Sequence, residues 1–436
     1  MFPRLLSATA LIALPFLLCA QWVQGGMFSV FNHFQACAFH HPDSGLFVYG
    51  SDNPVSGEGG VIATYDGLQG GGFYLWYESP MILEDIDVKV SDGFPIYLAA
   101  GSQSGGISVI LRPYETFQNP FFLDSVRTGF SQAYRAVRMR SDLVAFAGGV
   151  DFQGNGIIDM SVDTGATWSQ VAMLPGQPVS RLDVVTDQLL FAATGGYRRT
   201  INNGVQLPDS GAIYRSSDGG MTWTQVHADP ANGFSDVSFA NANNGAATRN
   251  DGAILYTNDG GSTWTPATIQ FSGPFILTAV EHRPDGTAFA AGYRTDGSEG
   301  FILISADGGM TWDLNYSTAG INNSRRIYGL FFHDDFTGYA ATHIKPHKTS
   351  GLITGLAERG SDDLMLFPNP SEGPSTLRFA DGTPRIVEVL DPLGRVVYRS
   401  LTNSASLELS KPGAAGSYLV RVVGVDGVRT GRWLVQ

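Results

Sequence analysis

Ser216-Ser-Asp-Gly-Gly-Met-Thr-Trp223 is one of four copies of an eight-residue pattern, [Ser/Thr]-x-Asp-x-Gly-x-Thr-Trp. The other copies are residues 161–168, 257–264 and 305–312. So specific a pattern, kept four times, indicates an internal repeat. Asp and Ser side chains bond nearby backbone amides, Gly supplies the positive φ of a tight turn, and Thr-Trp opens the next strand. Each copy therefore predicts a β-hairpin.

The repeated pattern resembles the Asp-box, or BNR repeat, of sialidase-like β-propellers. In that family the box is structural and lies away from the active site. The resemblance therefore implies a structural role for the Ser or Thr, Asp, Gly and Trp of each copy. These residues are Ser161, Asp163, Gly165, Trp168, Ser216, Asp218, Gly220, Trp223, Thr257, Asp259, Gly261, Trp264, Ser305, Asp307, Gly309 and Trp312.

A strand of small residues recurs more often than the box. Its seven copies are residues 47–50, 97–101, 145–148, 191–194, 245–248, 289–292 and 338–342. Small side chains suit strands that converge on an axis, and the box Trp residues recur at about 40 to 55 residues, the length of one four-stranded blade. We therefore predict an all-β fold with a seven-bladed β-propeller at residues 21–358. Its last blade lacks a strand, which residues 27–33 are expected to supply.

The N-terminus and the overall charge limit the class of protein. Residues 1–20 have the pattern of a secretory signal peptide, with Arg4 before an apolar run and Ala20 at a plausible cleavage position. No later stretch is apolar enough to span a membrane. A net charge of −13 argues against general nucleic-acid binding. No nucleotide-binding loop or convincing metal-ligand pattern is present, so we expect no cofactor and no metal.

The C-terminal part of the chain differs in pattern from the rest. After a linker at residues 359–365, residues 366–436 show the alternating strands of a small Ig-like β-sandwich. This segment resembles the type A sorting domain of the type IX secretion system of Bacteroidota. The resemblance implies a secreted or cell-surface protein whose partners are the translocon and its sortase. The matching motif residues are Pro368, Asn369, Pro370, Gly394, Arg395, Gly416 and Tyr418.

Catalytic motifs are weak in this sequence. Sialidases require an Arg-Ile-Pro element that is absent, since Arg326-Ile327 is followed by Tyr328. We therefore expect a binding or scaffold protein and not an enzyme, with an extracellular glycoside hydrolase, sialidase-like or glucanase-like, as the alternative. Two carboxylates about 5 Å apart near the central channel would favour the hydrolase. A third reading is an assembly factor, because related propellers help to build membrane complexes.

The loops between second and third strands share one face of a propeller and are rich in Arg and Tyr. Guanidinium groups bind carboxylates and phosphates, and Tyr rings stack on sugars. We therefore predict a glycan or peptide site on this face, opposite the boxes. Ordinary solvated loop residues, some paired with Asp251 or Asp296, would produce the same pattern. The candidate residues are Tyr197, Arg198, Arg199, Arg249, Tyr293, Arg294 and Lys345.

Overall fold

The computed structural model confirms the all-β class, because all regular secondary structure in the described residues is β-strand. The residues divide into two compact units, Cys19–Leu352 and a second that contains Ile353–Gln436, each considered by itself below. The residues described are 22–24, 33–50, 59–64, 68, 73–79, 81–103, 107–112, 132–196, 210–319, 325–335, 337–343, 345–349, 365–367, 371, 373–379, 385–390, 396–411, 416–424 and 427–435.

Within its described residues the first unit contains seven sheets, which we number as blades 1 to 7. The first strand of the chain, β1 (Trp22–Gln24), belongs to the last of them. Blade 1 contains β2 (His33–His41), β3 (Ser44–Gly50), β4 (Gly59–Thr64) and β5 (Phe73–Ser79). Blade 2 contains β6 (Met81–Ser91), β7 (Phe94–Gln103) and β8 (Ile107–Leu111). Blade 3 contains β9 (Gln132–Met139), β10 (Ala145–Asp151), β11 (Gly156–Ser161) and β12 (Ser169–Leu174).

The remaining blades follow the same order. Blade 4 contains β13 (Val179–Val184), β14 (Leu190–Thr194), β15 (Gly211–Ser216) and β16 (Thr224–Asp229). Blade 5 contains β17 (Phe234–Phe239), β18 (Gly245–Arg249), β19 (Ile254–Thr257) and β20 (Thr265–Pro266). Blade 6 contains β22 (Phe275–His282), β23 (Ala288–Arg294), β24 (Gly300–Ser305) and β25 (Thr311–Ser317), and an additional short strand, β21 (Thr268–Ile269), pairs in parallel with the outer edge of β25. Blade 7 contains β26 (Ile327–Phe332), β27 (Gly338–Thr342), β28 (His347–Thr349) and β1.

The first strands of the blades form a closed ring. Each contacts the first strand of the next blade, and β26 of blade 7 contacts β2 of blade 1. These antiparallel sheets around an axis are consistent with the blades of a β-propeller. All the small-residue segments lie in the second strand of a blade, where Ala and Gly leave room for the neighbouring sheet.

The seven inner strands each carry a β-bulge near the start of the strand, and β2 has a second irregularity between Phe39 and His41. At the first bulge the pairing with the second strand skips one residue, and the strand bends locally. Some of these side chains connect blades: Ser180 Oγ donates to the Phe234 carbonyl at 2.7 Å, and Thr278 Oγ1 donates to the Ile327 carbonyl at 2.6 Å. The bulged residues are Gln35, Glu84, Arg135, Ser180, Ser235, Thr278 and Tyr328.

Blade 7 combines strands from both ends of the unit. The strand beside β28 is Trp22–Gln24, whereas residues 27–31 of the expected closing segment lie outside the described residues and His33 begins β2. Trp22 holds this strand beside β28. Its indole is buried near Phe332 and Tyr316, and its Nε1 donates to Asn315 Oδ1 at 3.0 Å. The preceding strand of blade 7 is His347–Thr349.

The C-terminal unit contains two sheets. One has the order β29 (Met365–Phe367), β30 (Ser375–Arg378), β33 (Ser406–Leu409), and the other has the order β32 (Val396–Thr402), β31 (Arg385–Leu390), β34 (Gly416–Gly424), β35 (Gly427–Val435). Side chains from both sheets, including Leu377, Val387 and Trp433, share one core. Gly416 and Tyr418 of the expected sorting motif lie in β34, with Tyr418 buried in that core, whereas Pro368, Asn369, Pro370, Gly394 and Arg395 lie outside the described residues.

Candidate functional site

The four box turns share one hydrogen-bond network, shown by blade 4. Ser216 Oγ donates to Asp218 Oδ1 at 2.8 Å and accepts the Gly220 amide at 2.8 Å. In all four boxes the Thr hydroxyl donates to the Asp carboxylate at 2.5–2.7 Å. The Trp Nε1 donates to the carbonyl of the box glycine in each. The carboxylates are thus engaged within their own turns.

These hydrogen bonds determine the charge of the box carboxylates. Those from Thr167, Thr222 and Thr263 lower the pKa of Asp163, Asp218 and Asp259, in that order, to about 2. Burial acts in the opposite direction on Asp307, but the hydrogen bonds from Thr311 and Ser305 still lower its pKa. All four therefore remain ionised at neutral pH, a state that cannot donate a proton to a leaving group.

Two of the predicted ligand residues on the opposite face are held in structural contacts. Arg249 forms ion pairs with Asp229 and Asp251 at the edge of blade 5. Arg294 forms an ion pair with Glu299 at 2.9 Å, and its guanidinium lies 3.9 Å from the centre of the Phe271 ring. Tyr197, Arg198 and Arg199 lie outside the described residues.

The other described candidates lie at or near a cluster formed by blades 6, 7 and 1. Tyr293 packs edge-on against Tyr328, and their ring centres are 6.2 Å apart. Arg326 lies over Tyr293 at 5.1 Å, and His33 stacks on Tyr328 at 6.1 Å. His343 contacts His33, with ring centres 3.9 Å apart. We call these five residues the His–Tyr–Arg cluster; the half-buried Lys345 follows His343 by two positions.

The fold explains why these residues meet. Tyr328 is the bulged residue of β26, His33 begins β2, Tyr293 is near the end of β23, and His343 follows β27. All these positions lie at the ends of blades opposite the box turns. The two tyrosines are buried, whereas His33, Arg326 and His343 are half-buried. The cluster therefore offers an aromatic floor with three side chains that can carry positive charge.

A second group of charges lines the ring axis, and the sequence analysis missed it. Asp85 of β6 is fully buried and binds Arg138 of β9 at 2.7 Å, and it also binds Arg181 of β13. Arg181 lies 3.4 Å from Asp236 of β17. The aspartates also join blades through the backbone: the Val137 amide donates to Asp85 Oδ2 at 3.0 Å, and the Val280 amide to Asp236 Oδ2 at 3.2 Å. Five consecutive blades, from blade 2 to blade 6, are connected in this way.

Further along the same strands lies a half-buried layer that contains Asp87, Arg138, Asp183 and Glu281. Burial raises the pKa of Asp183 to about 6, although Arg138 acts to lower it. Burial also raises the pKa of Glu281, again opposed by Arg138 and reinforced by Asp183. The pKa of Arg138 is raised, because Asp85 and Asp87 outweigh the effect of its burial. Burial therefore makes these two acids hold protons more tightly than usual, and the neighbouring carboxylates Asp236 and Asp183 add to this effect.

This axial layer lies toward the box face. The inner strands end on this face, in the turns that lead to the second strands. The box turns form hydrogen bonds with these turns: the Thr164 amide donates to the Leu143 carbonyl, and the Gly219 amide donates to the Gln188 carbonyl. The loop residues predicted as a ligand site lie on the opposite face. The sequence does contain a sign of the axial charges, because Asp85, Asp183 and Asp236 interrupt apolar strands. These three residues come together only when the ring of blades closes.

Within the residues that the structure describes, no group of three or more His, Cys, Asp or Glu side chains could hold a metal ion. No helix in this part of the chain has the length and apolar character needed to cross a membrane.

Comparison with known proteins yields structural relatives only. No protein-family model and no curated protein matches the sequence. A structure of YCF48 bound to D1 peptide is similar, with a TM-score of 0.52, 13% identity and coverage of 76% of this chain and 96% of that one. YCF48 from Cyanidioschyzon merolae has a TM-score of 0.53 and 14% identity, covering 76% of this chain and 98% of that one.

A third structure is PorZ, described as an essential bacterial surface component of the type-IX secretion system of Porphyromonas gingivalis. Its TM-score is 0.49 and its identity 16%, over 93% of this chain and 59% of that one. A similarity at this level supports no conclusion. The YCF48 comparisons, at 13% and 14% identity, show that the first unit shares the fold of the YCF48 propeller.

Proposed function

We propose that this chain is an exported, non-enzymatic binding protein, a seven-bladed Asp-box propeller followed by a type IX sorting domain. Its ligand in this proposal is a peptide, bound at the His–Tyr–Arg cluster. One observation carries the proposal: three half-buried side chains that can be positive surround two buried tyrosines at the blade ends opposite the boxes. Such a site supplies hydrogen-bond donors for peptide groups, and the buried tyrosine rings beneath them support these donors.

The choice of a peptide over a glycan has modest support from the comparison. A propeller of the same fold, YCF48, has been described in a complex with D1 peptide. A shared fold does not imply a shared ligand, so this parallel is an analogy. The chemistry of the cluster is compatible with it, because tyrosine and arginine are the residues that most often dominate binding energy in protein interfaces.

The test is a binding screen of the purified full chain against a random-peptide library and a glycan array. We expect enrichment of peptides, and we expect Arg326→Glu to reduce binding at least tenfold. Arg283→Glu is the matched control, because Arg283 also lies over an aromatic ring, Phe289, at 5.3 Å, but at the opposite blade ends. Binding that survives Arg326→Glu unchanged, or that is confined to glycans, would contradict the proposed site.

Export is a separate part of the proposal and has its own test. The sequence resemblance of residues 366–436 to type A sorting domains supports it. In a host with a type IX system, we expect the full chain on the surface or in the medium. A chain that ends at residue 365 should accumulate in the periplasm. Normal surface delivery of the shortened chain would overturn the sorting assignment.

Glycan hydrolysis is the second candidate, because one observation favours it. Glu281 and Asp183 face the axis with raised pKa values, and a carboxyl group that keeps its proton near neutral pH can act as a general acid. Against this, Asp183 Oδ2 accepts the Phe239 amide at 2.7 Å, which is a structural contact between blades. Reducing-end release from a panel of glycans that disappears in Glu281→Gln would establish the hydrolase instead.

A further inference from the structure

Three large apolar side chains are exposed on the box face, the side of the ring that carries the box turns. Phe94 is the first residue of β7 in blade 2 and is 58% exposed. Leu143, in the turn between β9 and β10 of blade 3, is 54% exposed, and Val162, in the box of the same blade, is 61% exposed. We call these three residues the apolar patch.

Hydrogen bonds between turns place the members of the patch side by side. Ser91, which pairs with Phe94 across the hairpin of β6 and β7, donates from Oγ to Asp142 Oδ2 at 2.7 Å. Leu143 follows in the same turn, and its carbonyl accepts the amide of Thr164 at 2.9 Å, two positions after the exposed valine of the box. Exposed apolar side chains that are grouped in this way, unlike single ones, indicate an interaction site.

The other blades show that the turns themselves do not require these apolar residues. When the second strands are aligned on their small-residue segments, blade 5 has Ala242 at the position of Phe94, and the remaining five blades have aspartate. At the positions of the other two patch residues, blade 4 has Gln188 and Ser217. Folding of the repeat therefore does not account for the patch. The five aspartates are Asp43, Asp142, Asp187, Asp285 and Asp335.

The surface around the patch is acidic. The box turns and the turns between first and second strands together contain eleven aspartates, two arginines and no lysine. Both arginines are engaged: Arg283 pairs with Asp285, and Arg140 Nη1 donates to the Gly219 carbonyl at 2.7 Å. Asp163, next to Val162 in the sequence, stays ionised at neutral pH, because the hydrogen bond from the box threonine lowers its pKa to about 2.

We propose that the apolar patch and the aspartates around it bind a segment of another protein that combines apolar side chains with Lys or Arg. The inference goes beyond the proposed function, because the patch and the His–Tyr–Arg cluster lie on opposite faces. Apolar side chains of the partner cover the patch, and its cations face the aspartates. A second copy of the chain is disfavoured as the occupant, because its box face carries the same excess of aspartates and like charges would meet.

The test titrates the full chain, by calorimetry, with an N-acetylated hexapeptide of alternating Lys and Leu and with its Gln-for-Lys and Glu-for-Lys counterparts. We expect the Lys peptide to bind at least about tenfold more tightly than the Gln peptide at about 50 mM salt, and the difference to shrink at about 300 mM, because salt screens exposed charges. The Glu peptide should not bind.

Variants locate the binding on the patch. Phe94→Ala, Leu143→Gln and Val162→Ser, combined in one chain, introduce residues that other blades carry at the same positions, so the turns and the net charge are kept. This triple variant should fold, which circular dichroism checks, and should bind the Lys peptide about tenfold more weakly. Phe152→Ala is the matched control, because Phe152 is 65% exposed in the turn between β10 and β11 of blade 3, on the opposite face.

The contribution of charge is tested separately at Asp92. This residue is exposed at the tip of the hairpin of β6 and β7 and has a φ of 50°, which Asn also adopts readily. Asp92→Asn should therefore keep the turn and weaken binding of the Lys peptide about threefold, without an effect on the Gln peptide.

Every other outcome contradicts the proposal. No binding, equal affinity for the Lys and Gln peptides, or an equal loss in Phe152→Ala would each overturn it. Sedimentation that shows a dimer, lost in the triple variant, would assign the patch to a second copy of the chain instead. Arg326→Glu, which tests the proposed function on the opposite face, should leave binding of the Lys peptide unchanged, so either idea can fail without the other.

Discussion

Arg181 of blade 4 forms an ion pair with Asp85 of blade 2, although blade 3 lies between them in the ring. The other oxygen of the same carboxylate binds Arg138 of blade 3 at 2.7 Å. One buried side chain thus connects three consecutive blades near the axis. Asp85 and Arg181 are both almost inaccessible to water, so their charges depend on each other for stabilisation.

Removal of Asp85 should therefore destabilise the propeller strongly. Asp85→Ala leaves Arg138 and Arg181 without this carboxylate and removes the acceptor of the Val137 amide. We expect a loss of about 3–5 kcal/mol in the free energy of unfolding. The measurement is urea denaturation followed by circular dichroism. Asp285→Ala breaks the more exposed Arg283–Asp285 pair and should cost less than about 1 kcal/mol. If both substitutions lowered the free energy of unfolding equally, the axial network would contribute no more to stability than the more exposed ion pair.

Removal of the Asp183 charge should stabilise the propeller near neutral pH, in contrast to the removal of Asp85. Its pKa is raised to about 6 in the folded chain, from an ordinary value of 3.8, so its ionisation opposes folding above pH 6 and this cost disappears between pH 6 and 4. Asn can still accept the Phe239 amide that Asp183 now accepts. Asp183→Asn is therefore expected to stabilise the chain at pH 8 by up to about 3 kcal/mol and to have little effect at pH 4. Denaturation curves at the two pH values test this, and destabilisation at pH 8 would contradict it.

His347 should make the last blade sensitive to acid. The side chain is fully buried in β28, opposite Gln24 of β1 and next to Ala340 of β27, with Tyr316 of β25 at 5.5 Å. Burial lowers the pKa of His347 to about 4, from an ordinary 6.5, against a smaller opposite effect of the Lys345 carbonyl. Its stabilising contribution is therefore complete above pH 6.5 and is lost as the pH falls toward 4, by up to about 3 kcal/mol.

Hydrogen exchange at the amides of β1 measures this loss directly. We expect faster exchange of Trp22–Gln24 at pH 5 than at pH 7, after correction for intrinsic rates, and no such difference in His347→Gln. His282→Gln serves as the control, because burial also lowers the pKa of His282 to about 4, but at an inner strand of blade 6. If His282→Gln also removed the faster exchange of the β1 amides at pH 5, this faster exchange would result from global unfolding and not from His347.

Substitution of two box glycines distinguishes the energetic cost of the turn conformation from the cost of disturbed packing between blades. Gly220 and Gly308 both have positive φ, of 91° and 77°. A Cβ on Gly220 would lie 2.3 Å from Phe146 Cε1 of blade 3, whereas a Cβ on Gly308 would meet nothing within 4 Å. Gly308→Ala should therefore cost about 1–2 kcal/mol from its backbone alone. Gly220→Ala should cost at least about 1–3 kcal/mol more, because blades 3 and 4 must separate locally. Equal thermal stability of the two variants would refute this packing role.

Local features of the fold could be predicted from the sequence. The box turns are encoded within eight residues, since Ser216, Asp218 and Thr222 bond only to one another and to the intervening amides. The second strands were visible for a similar reason, because crowding between neighbouring sheets requires Ala and Gly at positions such as Ala192 and Ala247, which are fully buried.

Features that depend on closure of the ring could not be predicted. An aspartate such as Asp183 alternates with apolar residues exactly as a solvent-facing side chain would, and only the neighbouring blades make it half-buried. His33 and His343 meet because the ring brings both ends of the propeller together. Arg249 and Arg294 were proposed as ligand residues, although Asp251 and Glu299 nearby in the sequence offered a sign that they form ion pairs.

The closing strand also has a consequence for the order of folding. Trp22 binds Asn315, which lies 293 residues later in the sequence. A chain that emerges N-terminus first must therefore keep this tryptophan uncovered until nearly all the other strands of the ring exist. Contacts of such long range are the slowest to form, because the entropy of closing the intervening chain must be overcome first. The first strand of the propeller is thus completed last, and Trp22 stays exposed until the chain around Asn315 has folded.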